Sequence, residues 1–93
     1  MTTVIERELL DYYHNYCELT IWFKKIILHS NATAVITIQD ITNEFITERN
    51  RILLYVPHDR RRPFKRDLNK LATAYYHKIS TWSRKQKITI DMV

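Results

Sequence analysis

None of the 93 residues of this chain is a glycine. Glycine-rich loops approach phosphates closely because glycine adopts positive φ angles, so neither a P-loop nor a dinucleotide-binding fingerprint can be built here. Glycine is also the commonest residue of tight hairpin turns. Its absence therefore disfavours a turn-rich all-β fold and favours helices.

Residues for metal binding and covalent catalysis are scarce as well. The single cysteine, Cys17, can form no intramolecular disulfide, and its apolar neighbours predict a buried thiol. The four histidines show no ligand spacing of the HxxxH or HxH type, and no serine lies in a nucleophile elbow. Nuclease metal sites need clustered carboxylates, and residues 51–93 hold only three. We therefore expect no metal, no cofactor and no enzymatic activity.

Long apolar runs are missing too, since no stretch approaches the roughly 18 residues of a membrane span. Acidic residues near the N-terminus (Glu6, Glu8 and Asp11) contrast with the basic start of a signal peptide. These features predict an intracellular protein without membrane contact, in the cytoplasm or, if viral, in the host nucleus. The length predicts one domain over residues 1–93.

Charge is unevenly distributed along the chain. Residues 1–50 carry four Lys/Arg and seven Asp/Glu, whereas residues 51–93 carry eleven Lys/Arg and three Asp/Glu. The two parts thus have net charges of −3 and +8. Concentrated positive charge favours an anionic partner, and nucleic acid is the commonest one.

The first segment, residues 4–29, repeats apolar side chains at helical spacing. It predicts one long helix or two, because β-branched and aromatic residues near Trp22 make the middle ambiguous. Residues 33–36 read as a short extended piece. Thr37 and Asp40 then form a capping-box pattern before a helix at residues 38–50.

Residues 51–56 either extend the second helix or form a short strand, and Pro57 ends them. Pro63 suits the first turn of a third helix over residues 63–79. The apolar face of that helix is predicted to pack in the core and comprises Phe64, Leu68, Leu71, Tyr75 and Ile79. Residues 80–90 alternate imperfectly, which predicts a basic hairpin.

The order of helix, strand, helix, basic loop, helix and hairpin is that of a winged helix-turn-helix. We therefore expect an α+β, mainly helical fold with three helices and a small antiparallel sheet. In this architecture the third helix enters the major groove of double-stranded DNA and the hairpin contacts the backbone. The predicted nucleic-acid-binding residues are Arg60, Arg61, Arg62, Lys65, Arg66, Asn69, Lys70, Thr73, His77, Arg84, Lys85 and Lys87.

Residues 36–90 also resemble the C-terminal winged helix of viral and plasmid primase-helicases. The matching pieces are Ile38-Gln39-Asp40-Ile41, Asn43-Glu44-Phe45 and Pro63-Phe64-Lys65-Arg66-Asp67-Leu68. The helicase body is missing, and the connector at residues 51–59 is not typical of that family. The resemblance implies a DNA-associated module, such as a viral or plasmid transcription regulator or replication accessory, rather than a helicase.

The basic residues also allow a second interpretation. The basic residues near Asp59 and Asp67 could form a solvated surface, and lysines at the hairpin could protect an edge strand. In that case the chain is a structural or interaction protein. It would form a homodimer through residues 4–29 and bind an acidic protein partner. The charge pattern favours nucleic acid, and the winged-helix pattern favours DNA over RNA.

Overall fold

The computed structural model describes residues 4–31 and 33–91, which fold into three α-helices. The helices are α1 (Val4–Ser30), α2 (Ile38–Leu53) and α3 (Arg61–Lys85), and a 3-10 turn at His58–Arg60 leads into α3. Parts of the predicted domain, namely residues 1–3, 32 and 92–93, lie outside the described residues. No described helix is long and apolar enough to cross a membrane.

The predicted antiparallel sheet, and with it the α+β winged helix-turn-helix fold, is wrong. No strand occurs in residues 4–31 and 33–91, and the predicted extended piece at residues 33–36 is a connector. The nearest approach to a sheet is one parallel bridge between Thr37 and Asp91. There the Ile38 N–H donates to the Asp91 carbonyl at 2.9 Å, and the Asp91 N–H donates to the Ile36 carbonyl at 3.1 Å.

The predicted hairpin at residues 80–90 is replaced by the last turns of α3. The helical period continues beyond residue 79, because Ile79 and Ser83 are both buried on the face that also holds Leu68 and Tyr75. The apparent alternation around Trp82 is therefore the edge of a helical pattern. Trp82, which suggested a strand, instead packs the end of α3 against the core.

A Schellman-type turn ends α3 without a glycine. Lys87 adopts the left-handed conformation, with φ of 54°. Its N–H donates to the Arg84 carbonyl at 3.2 Å, and the Ile88 N–H donates to the Ser83 carbonyl at 3.0 Å. This position usually holds glycine, which has no Cβ to clash. Here a lysine takes the strained conformation so that the tail can turn back toward α2.

The predicted capping box at the start of α2 is confirmed. The Asp40 N–H donates to the Thr37 hydroxyl at 3.0 Å, and the Thr37 N–H donates to the Asp40 carboxylate at 3.0 Å. These bonds to Thr37 lower the pKa of the Asp40 carboxyl. Their contribution to stability is therefore present above the ordinary carboxyl pKa, and it is lost as pH falls through the lowered value.

The sequence left two choices open: one helix or two at residues 4–29, and helix or strand at residues 51–56. Residues 4–29 form a single helix, and α2 extends to Leu53 rather than ending at residue 50. Contacts between Glu6 and Arg60 and between His29 and Trp82 show that α1 and α3 run parallel. The α2 helix runs antiparallel to both and connects them.

Phe45 of α2 is the point at which the three helices meet. Its ring lies edge-on to Tyr13 of α1 at 6.4 Å between centroids and stacks with Tyr76 of α3 at 5.2 Å. The buried Tyr13 hydroxyl donates to the Phe45 carbonyl at 3.0 Å, which satisfies the polar atom of that ring. Burial also raises the pKa of the Tyr13 hydroxyl.

The predicted core of the third helix is correct except at one position. Phe64, Leu68, Tyr75 and Ile79 are buried, but Leu71 is only partly buried. Ala72 takes the inward position instead. The buried side of α3 is therefore centred near Leu68 and Ala72. Leu71 lies at the edge of this buried side, next to α1.

Substitutions at two leucines should separate these environments. Leu68→Ala should lower the free energy of unfolding by about 2–5 kcal/mol, because it leaves a cavity at a fully buried site. Leu71→Ala should cost clearly less, because its side chain is already partly in water. Urea unfolding of both variants measures the difference, and equal losses would contradict this placement of α3.

Candidate nucleic-acid interface

One face of α3 points away from the other two helices and carries most of the predicted binding residues. At about 100° per residue, the side chains opposite the buried stripe share one surface, called here the outward face. All of them are exposed. The outward face consists of Arg62, Arg66, Asn69, Lys70, Thr73, His77 and Arg84. It extends about 33 Å along the helix axis.

The outward face is positively charged and contains no carboxylate, although Lys70 at its edge lines a cavity with Asp11 and Asp67. Helix α3 contains eight Lys/Arg and a single carboxylate, Asp67, which lies on the flank toward α1. No Lys or Arg of the outward face forms an ion pair with a carboxylate of the described chain. By contrast, the ion pairs made by Lys24, Arg51 and Arg60 lie elsewhere.

Two of the predicted binding residues, Arg60 and Arg61, make contacts within the fold. The Arg60 Nε donates to the Glu6 Oε1 at 2.8 Å and its Nη2 to the Oε2 at 3.2 Å, while Glu6 itself is buried. The Glu6 carboxylate raises the pKa of the Arg60 guanidinium. The Arg61 Nε donates to the Val56 carbonyl at 3.0 Å. These contacts direct both guanidinium groups toward the protein, which the run of arginines in the sequence does not reveal.

The predicted wing residues occupy new places because the hairpin is absent. Arg84 lies on the outward face, in line with Arg66 and His77, rather than on a separate element. Lys85 is the last residue of α3, and Lys87 is the left-handed residue after it. Lys65 is exposed on the flank of α3, about a quarter-turn from the centre of the outward face. The candidate interface is therefore one helical surface rather than a helix plus a wing.

Asn69 is held by a residue that the sequence did not single out. The Arg49 Nη1 of α2 donates to the Asn69 Oδ1 at 2.8 Å. A bidentate contact with adenine needs both the oxygen and the amide N–H of an asparagine. Since Arg49 already uses the oxygen, Asn69 presents mainly its N–H donors. Arg66 is thus better placed than Asn69 for a direct contact with a base.

A second basic surface lies between α1 and α3 and includes two lysines that sequence reasoning missed. A groove of about 430 Å³ is lined there by Lys25, His77, Lys78, Thr81, Trp82 and Lys85. The Lys25 Nζ lies 5.4 Å from the centroid of the Trp82 ring, and the Lys78 Nζ lies 4.8 Å from that of Tyr75. Lys25 belongs to the acidic half of the chain, so only the fold reveals that it joins the basic surface.

Aromatic rings are not available on the outward face. Tyr75 is buried, while Tyr76 and Trp82 are only partly exposed and pack against the core. Cys17 is buried as predicted, and burial raises the pKa of its thiol to about 12. In residues 4–31 and 33–91, no three His, Cys, Asp or Glu side chains are grouped so that they could hold a metal ion.

Comparison with protein-family models, with curated proteins and with solved structures finds no match for this chain. The resemblance to the winged helix of primase-helicases thus stays a prediction from the quoted residues. The sheet that this resemblance implies is absent from the described residues.

Arg60 and Arg62 should differ in their effect on the melting temperature when each is changed to alanine. Arg60→Ala removes the ion pair with buried Glu6 and should lower the melting temperature, because a buried carboxylate loses a charged partner. Arg62→Ala removes an exposed side chain from the outward face and should leave the melting temperature nearly unchanged. Thermal unfolding followed by circular dichroism tests the pair. Equal melting temperatures for the two variants would show that Arg60 has no structural role.

Proposed function

We propose that this protein binds double-stranded DNA through the outward face of α3. The observation that supports the proposal is the row of exposed Lys and Arg side chains there, none of which pairs with a described carboxylate. A surface that only provides solubility mixes both signs of charge, whereas a surface for a polyanion carries one sign. Phosphate contacts by such a row supply most of the affinity for nucleic acid.

The absence of aromatic rings from the outward face favours a duplex over a single strand. Proteins that bind single strands combine a basic groove with rings on which bases stack. Here the rings of α3 contribute to the core, so the outward face offers only cationic and polar groups. A helix with one exposed face also fits the major groove of B-form DNA, but the major groove of A-form RNA is too narrow for it. DNA is therefore the favoured partner.

The division of roles along the face follows from residue type. Arg66 can form a bidentate contact with guanine, while Lys70 and Thr73 suit phosphates. A DNA-binding role places the protein inside the cell, in the cytoplasm or, for a viral protein, in the host nucleus. Action as a transcription regulator or replication accessory is part of this proposal.

Binding should weaken steeply as salt rises. Each neutralised phosphate releases counterions, so a plot of log affinity against log salt has a slope of about −0.9 per contact. Arg66→Ala should weaken a selected site by roughly 1–3 kcal/mol more than a scrambled one, because Arg66 is assigned to a base contact. Fluorescence anisotropy with both duplexes over a range of salt concentrations measures these effects.

The matched control is Lys65→Ala, which removes the same charge from the flank of α3 and should have a smaller effect. If both variants lost equal affinity for both duplexes, the outward face would not be the interface. If the unaltered protein bound no duplex at low salt, the DNA-binding proposal would fail. The chain would then be better described as an interaction protein with an acidic protein partner.

A second function, self-association, is supported by a separate surface. The outer face of α1 exposes Leu19, Trp22, Phe23 and Ile26, with exposed fractions of 64%, 59%, 56% and 40%. Their spacing places them on one stripe, opposite buried Cys17 and Ile21. Monomeric proteins rarely expose contiguous apolar patches larger than a few hundred Å². This stripe specifies where, within the predicted dimer segment of residues 4–29, two copies would meet.

A second copy is the partner that this stripe fits. None of its four side chains is charged, so two copies can meet around a two-fold axis without placing like charges together. The two aromatic and two aliphatic side chains would form the apolar centre of an interface. A stable dimer buries about 800 Å² on each partner, so the side chains around the stripe must complete the contact.

A charge introduced into the stripe should prevent self-association. Phe23→Glu should convert a dimer into a monomer in sedimentation velocity, because the carboxylate would be desolvated in the interface. Gln39→Glu adds the same charge at an exposed position on α2 and should leave the dimer intact. Sedimentation of the unaltered protein as a monomer at high concentration would contradict the proposal.

A further inference from the structure

Three lysines line the groove between α1 and α3 without a carboxylate among the lining residues. They are Lys25, Lys78 and Lys85, and the remaining lining residues are His77, Thr81 and Trp82. None of the three lysines forms an ion pair with a described acid. None has an Asp or Glu three or four residues away on its own helix, where such pairs normally form. The groove thus gathers positive charge that the described chain does not neutralise.

Two of these lysines are held in place by aromatic rings. The Lys25 Nζ lies over Trp82 and the Lys78 Nζ over Tyr75, at the cation–π distances given above. His29, which follows Lys25 by four residues on α1, also contacts Trp82 edge-on with 5.2 Å between the ring centroids. A lysine that is already ordered loses less side-chain entropy when it binds a ligand. The groove is therefore better prepared for an anion than a set of freely rotating surface lysines.

The helix dipoles do not explain this arrangement. The parallel helices α1 and α3 end on the same side of the molecule, and cations stabilise helix C-termini. That effect is confined to the last turn, and it accounts for Lys85 at the end of α3. Lys25 lies more than one turn before the end of α1, and Lys78 lies almost two turns before the end of α3. These two lysines therefore require another explanation.

We propose that the α1–α3 groove binds a phosphate group of the DNA backbone. The inference rests on the proposed function and extends it, because His77 belongs to both the outward face and the groove. A strand that follows the outward face can pass His77 and place one phosphate among Lys25, Lys78 and Lys85. The interface then includes a residue of α1, so the position of α1 against α3 contributes to DNA affinity.

The tryptophans allow a direct test. A Trp22→Phe variant retains Trp82 as its single tryptophan, so its one indole N–H signal in a ¹H–¹⁵N NMR spectrum reports on the groove. The probes are a DNA duplex without terminal phosphates, the same duplex with 5′-phosphates, and inorganic pyrophosphate. We expect the first duplex to shift the Trp82 signal as much as the second, because a backbone phosphate enters the groove.

The variants Lys25→Ala and Lys78→Ala, alone and combined, test whether these two lysines bind the phosphate. The double variant should lower duplex affinity by about tenfold or more, because the bound phosphate loses two of its three lysines. Lys65→Ala is the matched control on the flank of α3 and should leave the Trp82 shift unchanged. Circular dichroism melts of all variants exclude a loss that results from unfolding.

The outcomes separate this inference from the proposed function. If the duplex bound and Arg66→Ala weakened it, but the Trp82 signal did not move, the outward face would be the interface and the groove proposal would be overturned. If only the 5′-phosphorylated duplex or pyrophosphate shifted Trp82, the groove would bind a terminal or free phosphate, and the backbone assignment would be wrong. If no duplex bound at low salt, both proposals would fall.

Discussion

The contacts of the Phe45 ring with Tyr13 and Tyr76 determine how the three helices are arranged. All three helices contribute rings, and the Tyr13 hydroxyl donates to the Phe45 carbonyl, so these contacts constrain the rotation of each helix about its axis. The rotation of α3 decides which side chains point outward. The aromatic contacts thus help to decide which basic side chains of α3 form the surface that is proposed to bind DNA.

The distribution of ion pairs follows from this arrangement. Two cations that lie against another element meet carboxylates, as Lys24 meets Glu44 and Arg60 meets Glu6. The outward face of α3 meets α2 at the Arg49–Asn69 hydrogen bond, and its Lys and Arg side chains form no ion pair with a described carboxylate. Burial of charge without a partner is costly, but exposure of charge is not. The fold can therefore keep a one-signed surface on the exposed side of α3.

The sequence predicted those features that depend on local chemistry. The capping box of Thr37 and Asp40 needs only three residues of spacing, and the inward stripe of α3 needs only helical periodicity. The roles of Arg60 and Lys25 were not predictable, because each is decided by a partner far away in the chain. Leu71 was misplaced for a related reason. Periodicity gives the direction of a face, but the position of neighbouring helices decides where that face ends.

The hairpin was predicted because residues 80–90 mix β-branched, aromatic and basic residues, which suit a strand locally. Burial of Ile79 and Ser83 against the other helices outweighs that preference. The lack of glycine excludes a glycine-rich phosphate loop, but it does not exclude a turn with a left-handed residue. Lys87 shows that a lysine can take a position where glycine is normal, when the turn is stabilised by two backbone hydrogen bonds.

The ion pair between Glu6 and Arg60 joins residues that are 54 positions apart. Glu6 is buried, and the Arg60 guanidinium is a charged partner of its carboxylate there. The pair therefore joins the first turn of α1 to a contact that forms only when distant parts of the chain come together. Because it couples the start of α1 to the turn that leads into α3, loss of structure at one of these sites removes a contact from the other.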